Sequence, residues 1–167
     1  LATLAGPAVL LAFAPRTRIT IAVVAALLYL QWLPAARAVH EASGDPSVHP
    51  SFYVPLIDRL PPGEKTEVVF TRNHFEAAYV ARRNPLARGW ERQLDITRNR
   101  LFYEPGLTAD TYEAWLRDKQ VRYVALSDVP LDFSAEAEAQ VVRSMPPYLR
   151  QVWRSPDWRL FAVQPRR

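Results

Sequence analysis

The residues of this chain whose types and spacing invite a chemical reading lie together in "PLARGWERQLD", residues 85–95. Glu91 and Asp95 are four apart. On a helix that spacing places two carboxylates on one face, which acid–base chemistry at a glycosidic bond would need. Arg88 and Arg92 share the periodicity, however. The four residues then read as a ladder of i,i+3 and i,i+4 ion pairs that neutralises both acids. A charge-matched turn or short helix is therefore the stronger expectation, ahead of a ligand surface and well ahead of a catalytic pair. Trp90, between Arg88 and Arg92, is the best binding feature, because an aromatic face beside guanidinium forks can hold a sugar ring or a phosphate. The competing reading has Trp90 filling the domain core while the arginines point outward.

Other candidates are single residues. His74 and Glu76 stand in "NHFE", and Ser127, Asp128 and Asp132 stand in "SDVPLD" just after an expected central strand. Ligands bind at the carboxyl ends of strands in α/β sheets, although Asp-Val-Pro is also an ordinary turn. His40, His49 and His74 are scattered and form no HxxxH or HExxH, so no metal site is expected. There is no GxGxxG, no GxxxxGK[ST] and no GxSxG, and the cysteine count is zero. Phosphate-cradling loops, nucleophilic hydrolysis and disulfides thus have no support. The candidate ligand contacts are His74, Glu76, Arg88, Trp90, Glu91, Arg92, Asp95 and Asp128, with no catalytic residue, metal or cofactor expected.

These residues need a scaffold, and the patterning supplies one. "SFYVPLIDRL" (51–60) has apolar residues at helical spacing around Pro55, so a short or kinked helix is expected. "EVVFT" (67–71) reads as a strand, and "NHFEAAYVARR" (73–83) is ambiguous between helix and extended chain. "LTADTYEAWLRDKQ" (107–120) reads as a helix with Thr108 as N-cap and Tyr112, Trp115 and Leu116 on one face. "VRYVALS" (121–127) reads as a central strand, and "SAEAEAQVVRSM" (134–145) as a helix capped by Ser134. "YLRQVWRS" and "WRLFAVQ" flank "SPD" as a hairpin. The order predicts a small α/β sandwich-like domain over 51–167, ending in that hairpin.

The first 38 residues read differently. "LATLAGPAVLLAF" (1–13) and "ITIAVVAALLYLQWLPAA" (19–36) carry no charge and flank "APRTR". Two transmembrane helices are expected, the first truncated, because Leu1 lies inside an apolar run. The alternatives are a signal peptide, with "AARA" as its cleavage site, or a soluble helical hairpin. Arg16 and Arg18 would hold the connecting loop in the cytoplasm and send residues 40–167 outward, after a linker over 39–50. Residues 1–40 contain three arginines and no acid, whereas the rest holds 18 basic and 17 acidic residues. The basic balance therefore belongs to the membrane-flanking part and points to no nucleic-acid partner.

"NHFEAAYVA", "PLARGWERQLD", "NRLFYEPGLTADTYEAWLRDKQVRYVALSDVPLD" and "LRQVWRSPDWRLFAV", in that order after apolar spans, resemble the C-terminal region of large polytopic bacterial membrane proteins. These are similar to GT-C glycosyltransferases, and they include the group labelled 6-pyruvoyl-tetrahydropterin-synthase-related. The resemblance implies a multi-pass cell-membrane protein, with the lipid bilayer, a polyprenyl-phosphate sugar and a glycan acceptor as partners. It also implies that the acidic catalytic residue lies in an early extracytoplasmic loop outside this chain, so none is carried over. The other readings are a non-enzymatic membrane-anchored binding or assembly domain in envelope biogenesis, and part of a transporter.

Overall fold

The computed structural model describes residues 15–89 and 91–165. The chain divides after Gly44 into two compact units. The described part of the first is one helix, α1 (Pro15–Ser43). Pro15 suits a first turn, where its missing N–H has no partner to lose. Nothing in Arg-Thr-Arg interrupts a helix, so Pro15–Arg18 form the first turn of α1 rather than a loop. Pro34 is the one interior proline. The helix runs past the expected linker boundary, and Gly44 closes it with an N–H bond to the His40 carbonyl at 3.2 Å. Within Pro15–His40 an 18-residue stretch reaches a mean hydropathy of 1.9, and none of that stretch is buried. One helix among the described residues is thus long and apolar enough to cross a membrane, not two. The expected first span, 1–13, lies outside the described residues.

The second unit is a mixed α/β domain. Asp45 caps a 3-10 turn at Pro46–Val48, accepting from the Ser47 N–H at 2.9 Å. Then come α2 (Pro50–Arg59), β1 (Thr66–Val68), the single turn α3 (Glu76–Tyr79) and α4 (Arg92–Arg98). A 3-10 turn (Arg100–Phe102) precedes α5 (Ala109–Asp118), β2 (Tyr123–Ser127) and a 3-10 turn (Phe133–Ala135). The chain ends in α6 (Glu136–Arg143), β3 (Leu149–Arg154) and β4 (Trp158–Val163). The four strands lie in the order β1-β2-β4-β3. β2 is interior, parallel to β1 and antiparallel to β4, and β3–β4 is the expected hairpin.

Alternate residues of β2 face opposite sides of the sheet. Val124 and Leu126 pack with Tyr112, Trp115 and Leu116 of α5 and with Ala139 and Val142 of α6. Ala125 packs on the other side with Phe52, Tyr53, Leu56 and Leu60 of α2 and with Trp158. The sheet is therefore covered on both faces, which three layers require. The Trp158 indole also donates to the Phe52 carbonyl at 2.9 Å.

Capping of α5 follows the expected Thr108. Its hydroxyl accepts from the Thr111 N–H at 3.2 Å, and the Thr111 hydroxyl accepts from the Thr108 N–H at 2.9 Å. Thr108→Ala is expected to lower stability by about 1 kcal/mol, read from urea unfolding in detergent micelles. Ser134, expected to cap the next helix, instead gives its N–H to Asp132 at 3.0 Å. Asp132 thus caps the 3-10 turn Phe133–Ala135, and α6 itself starts from Ala135 with no side-chain cap.

Candidate functional site

"PLARGWERQLD" does not form one helical ladder. α4 begins at Arg92, so Arg88 lies outside it, on a segment that runs beside β1. There the Thr66 N–H binds the Pro85 carbonyl and the Ala87 N–H binds the Thr66 carbonyl, both at 2.9 Å. This pairing turns Arg88 inward, where it is 2% exposed. Its guanidinium lies between the rings of Phe70 and Phe102, 4.1 and 3.9 Å from their centroids. It donates to Asp95 at 2.8 Å and to Glu138 of α6 at 3.0 Å. Glu67 of β1 is the third carboxylate, 4.0 Å away.

The periphery of this buried centre is well supplied with donors. Asp95 accepts also from Asn99 at 2.8 Å and from the Tyr103 hydroxyl at 2.6 Å. Asn99 in turn accepts from the Trp115 indole at 2.9 Å, and Tyr112 donates to Glu138 at 2.7 Å. Burial opposes the Asp95 charge, but the hydrogen bonds and charge of Arg88 outweigh it and hold the acid below its usual range. Burial likewise opposes the Arg88 charge, while Glu138, Glu67 and Asp95 hold it cationic. Glu67 differs, since neither of its oxygens has a hydrogen-bond partner. Burial, then the neighbouring Glu138, push its carboxyl well above the ordinary value.

A second cluster sits beyond the carboxyl ends of β1 and β2. His74 has Nδ1 3.5 Å from Glu76 Oε1 and Nε2 3.3 Å from Asp132 Oδ2. Arg92 donates to the same Asp132 oxygen at 2.9 Å and lies over the Phe133 ring at 4.7 Å. Burial works against the Asp132 charge, but the bonds from Arg92 and Ser134 bring its pKa down to about 2. Beside His74 is a shallow depression of about 260 Å³, lined also by Asn73, Phe75, Ala77 and Ala78.

Comparison with protein-family models, curated proteins and solved structures finds no match. Geometry therefore has to carry the chemistry. Seven of the eight sequence candidates separate into four places. Arg88 and Asp95 form the buried centre. His74, Glu76 and Arg92 meet at the second cluster. Glu91 is exposed at the N-cap position of α4, and Asp128 pairs with Arg159 near the hairpin. Trp90 lies outside the described residues. Sequence reasoning missed Glu67 and Glu138, and it placed Asp132 after the central strand without its partners His74 and Arg92. Signals existed for both missed acids: Glu67 interrupts a β-branched run, and Glu138 lies four residues before the buried Val142 on the apolar stripe of α6. Among the described residues no group of three His, Asp or Glu side chains is arranged to hold a metal. Asp95, Glu138 and Asp132 each accept from an arginine, whereas Glu67 has no donor.

Proposed function

We propose that this chain is the membrane-held, non-catalytic binding part of a GT-C-like protein that transfers sugar from a polyprenyl-phosphate donor. The observation that carries it is α1, an unburied helix of membrane-crossing length that ends one residue before the α/β domain. Arg16 and Arg18 at the start of α1 support a cytoplasmic N-terminal end, and hence a domain on the extracytoplasmic side. The neutralised acids of the domain support a role in holding a lipid-linked donor or a glycan acceptor, with transfer chemistry elsewhere in the whole protein. The same neutralisation favours a second reading, a non-enzymatic anchored domain in envelope assembly.

Topology is directly testable, because the chain has no cysteine of its own. Gln140→Cys, at an exposed position of α6, is expected to react with a membrane-impermeant maleimide on intact cells. Thr17→Cys is expected to react only after the membrane is opened. The reverse pattern would overturn the outward placement, and release of the chain by alkaline washing would overturn the span. Sugar transfer by residues 45–167 alone would overturn the division of labour, whereas transfer by the whole protein but not by this domain separates the first reading from the second.

A further inference from the structure

His74 stands where the chain leaves β1 and meets the segment that leaves β2. These segments are otherwise joined by an isolated bridge between Thr71 and Leu131. Two backbone bonds of 3.0 Å, Arg72 N–H to Pro130 and Asp132 N–H to Phe70, add to it. The His74 ring lies edge-on to Phe70 at 4.7 Å, so it can rotate little. In this pose each ring nitrogen faces a different carboxylate. A neutral imidazole has one N–H and one lone pair, so one of the two acids would face a lone pair. Only the imidazolium presents an N–H and a positive charge to both acids, at 3.5 and 3.3 Å.

Both acids are anchored from behind. The Thr71 hydroxyl donates to Glu76 Oε2 at 2.8 Å, while Arg92 and Ser134 hold Asp132. Neither can swing away to relieve a neutral His74. The His74 backbone is also left-handed, with φ 57°. That conformation is disfavoured for a residue with a Cβ and must be held by its side chain's contacts.

We propose that His74 is a protonation-controlled clamp: the imidazolium ties Glu76 to Asp132, and loss of its proton frees the Asn73–Phe75 turn and reshapes the depression beside it. The inference is independent of the membrane reading. The titratable and charged groups facing the clamp are Glu76 on α3, Asp132 after β2, Arg92 on α4 behind Asp132, and Tyr53 on α2 beside Glu76. Asp45 joins through Asn73, which donates to it at 3.0 Å. Asp132 stays ionised down to about pH 2 and so does not titrate in the same window as His74. The Glu76 carboxylate, 3.5 Å away, raises the His74 pKa, with burial opposing it and Asp132 adding to the rise. A raised histidine contributes its full stabilisation below its unfolded value of about 6.5 and loses it as pH rises through the folded pKa. The clamp is therefore closed in acid and opens towards alkaline pH.

Hydrogen exchange on the full chain in detergent micelles, corrected for intrinsic pH dependence, tests this. Protection of the amides of 71–76 and 128–134 is expected to fall at least about tenfold between pH 5.5 and pH 8.5, with α5 unchanged. His74→Gln is expected to show the low protection at both pH values. Equal protection at both pH values in the unaltered chain would overturn the clamp, as would a pH response that persists in His74→Gln. Should that variant not fold, a chain with His40 and His49 changed to glutamine isolates the His74 ring signal for NMR. A ring that titrates at or below the ordinary histidine value would overturn the clamp equally.

Discussion

Arg88→Met is expected to lower the stability of the α/β domain by about 3–5 kcal/mol, which for a marginally stable domain amounts to unfolding it. The magnitude does not come from the pair energy itself. A buried ion pair gains little net stability over a well-packed apolar residue, since both charges lose water on folding. It comes from what the substitution leaves behind. Asp95 and Glu138 would lose the only guanidinium among the described residues that donates to them, at 2.8 and 3.0 Å, and both stay shut away from water. The flanking rings of Phe70 and Phe102 would lose their cation as well. Arg88→Lys is expected to rescue little, because an ammonium has no planar fork to reach Asp95 and Glu138 at once while stacking on two rings. Urea unfolding of the full chain in micelles, followed by tryptophan fluorescence, reads the loss. A decrease below about 1 kcal/mol would show that water reaches the centre and that Arg88 is not its keystone.

Glu67→Met is expected to act in the opposite direction, stabilising the domain by about 1–3 kcal/mol at pH 7. Glu67 is fully buried, has no donor for either oxygen, and shares a single cation with two better-placed acids. Methionine keeps the unbranched shape and removes the unpaired oxygens. The pH dependence follows from the raised carboxyl. Folded Glu67 keeps its proton at pH values where the unfolded chain has lost it, so stability declines as pH rises from the ordinary glutamate value through the folded pKa. Glu67→Gln separates the two effects, removing the pH slope while retaining polar atoms at the site. Stability measured from pH 4 to pH 9 should fall with pH in the unaltered chain and fall less in both variants. An unaltered slope in Glu67→Gln would mean that another group carries it. Loss of stability in Glu67→Met at neutral pH would mean that the acid is ionised and compensates Arg88.

Much of the scaffold was legible before any coordinates. The alternating apolar run of β2, the Thr108 cap and apolar stripe of α5, and the "SPD" turn of the hairpin are local patterns, and each element lies where its pattern placed it. The long apolar helix was legible for the same reason. Its start was misjudged because arginines look like a loop signal, although nothing in Arg16-Thr17-Arg18 breaks a helix. The ambiguity of 73–83 was real, since Glu76–Tyr79 is one isolated turn held by its surroundings.

The candidate site divides along the same line. That Arg88, Glu91, Arg92 and Asp95 are charge-matched can be read from spacing, but their partners cannot. Arg88 reaches Asp95 across seven residues and Glu138 across 50, and Arg92 reaches Asp132 across 40. Such pairings depend on where β1, α4 and α6 return to one another, and no local period encodes that. By itself the sequence determined the kinds of element, their order, the membrane-length helix and the near-neutral charge of the domain. Tertiary structure alone decided which acids are buried, which share a cation and which face His74. Those depend on desolvation and on distances of about 3 Å, and both exist only once the layers have closed around the sheet.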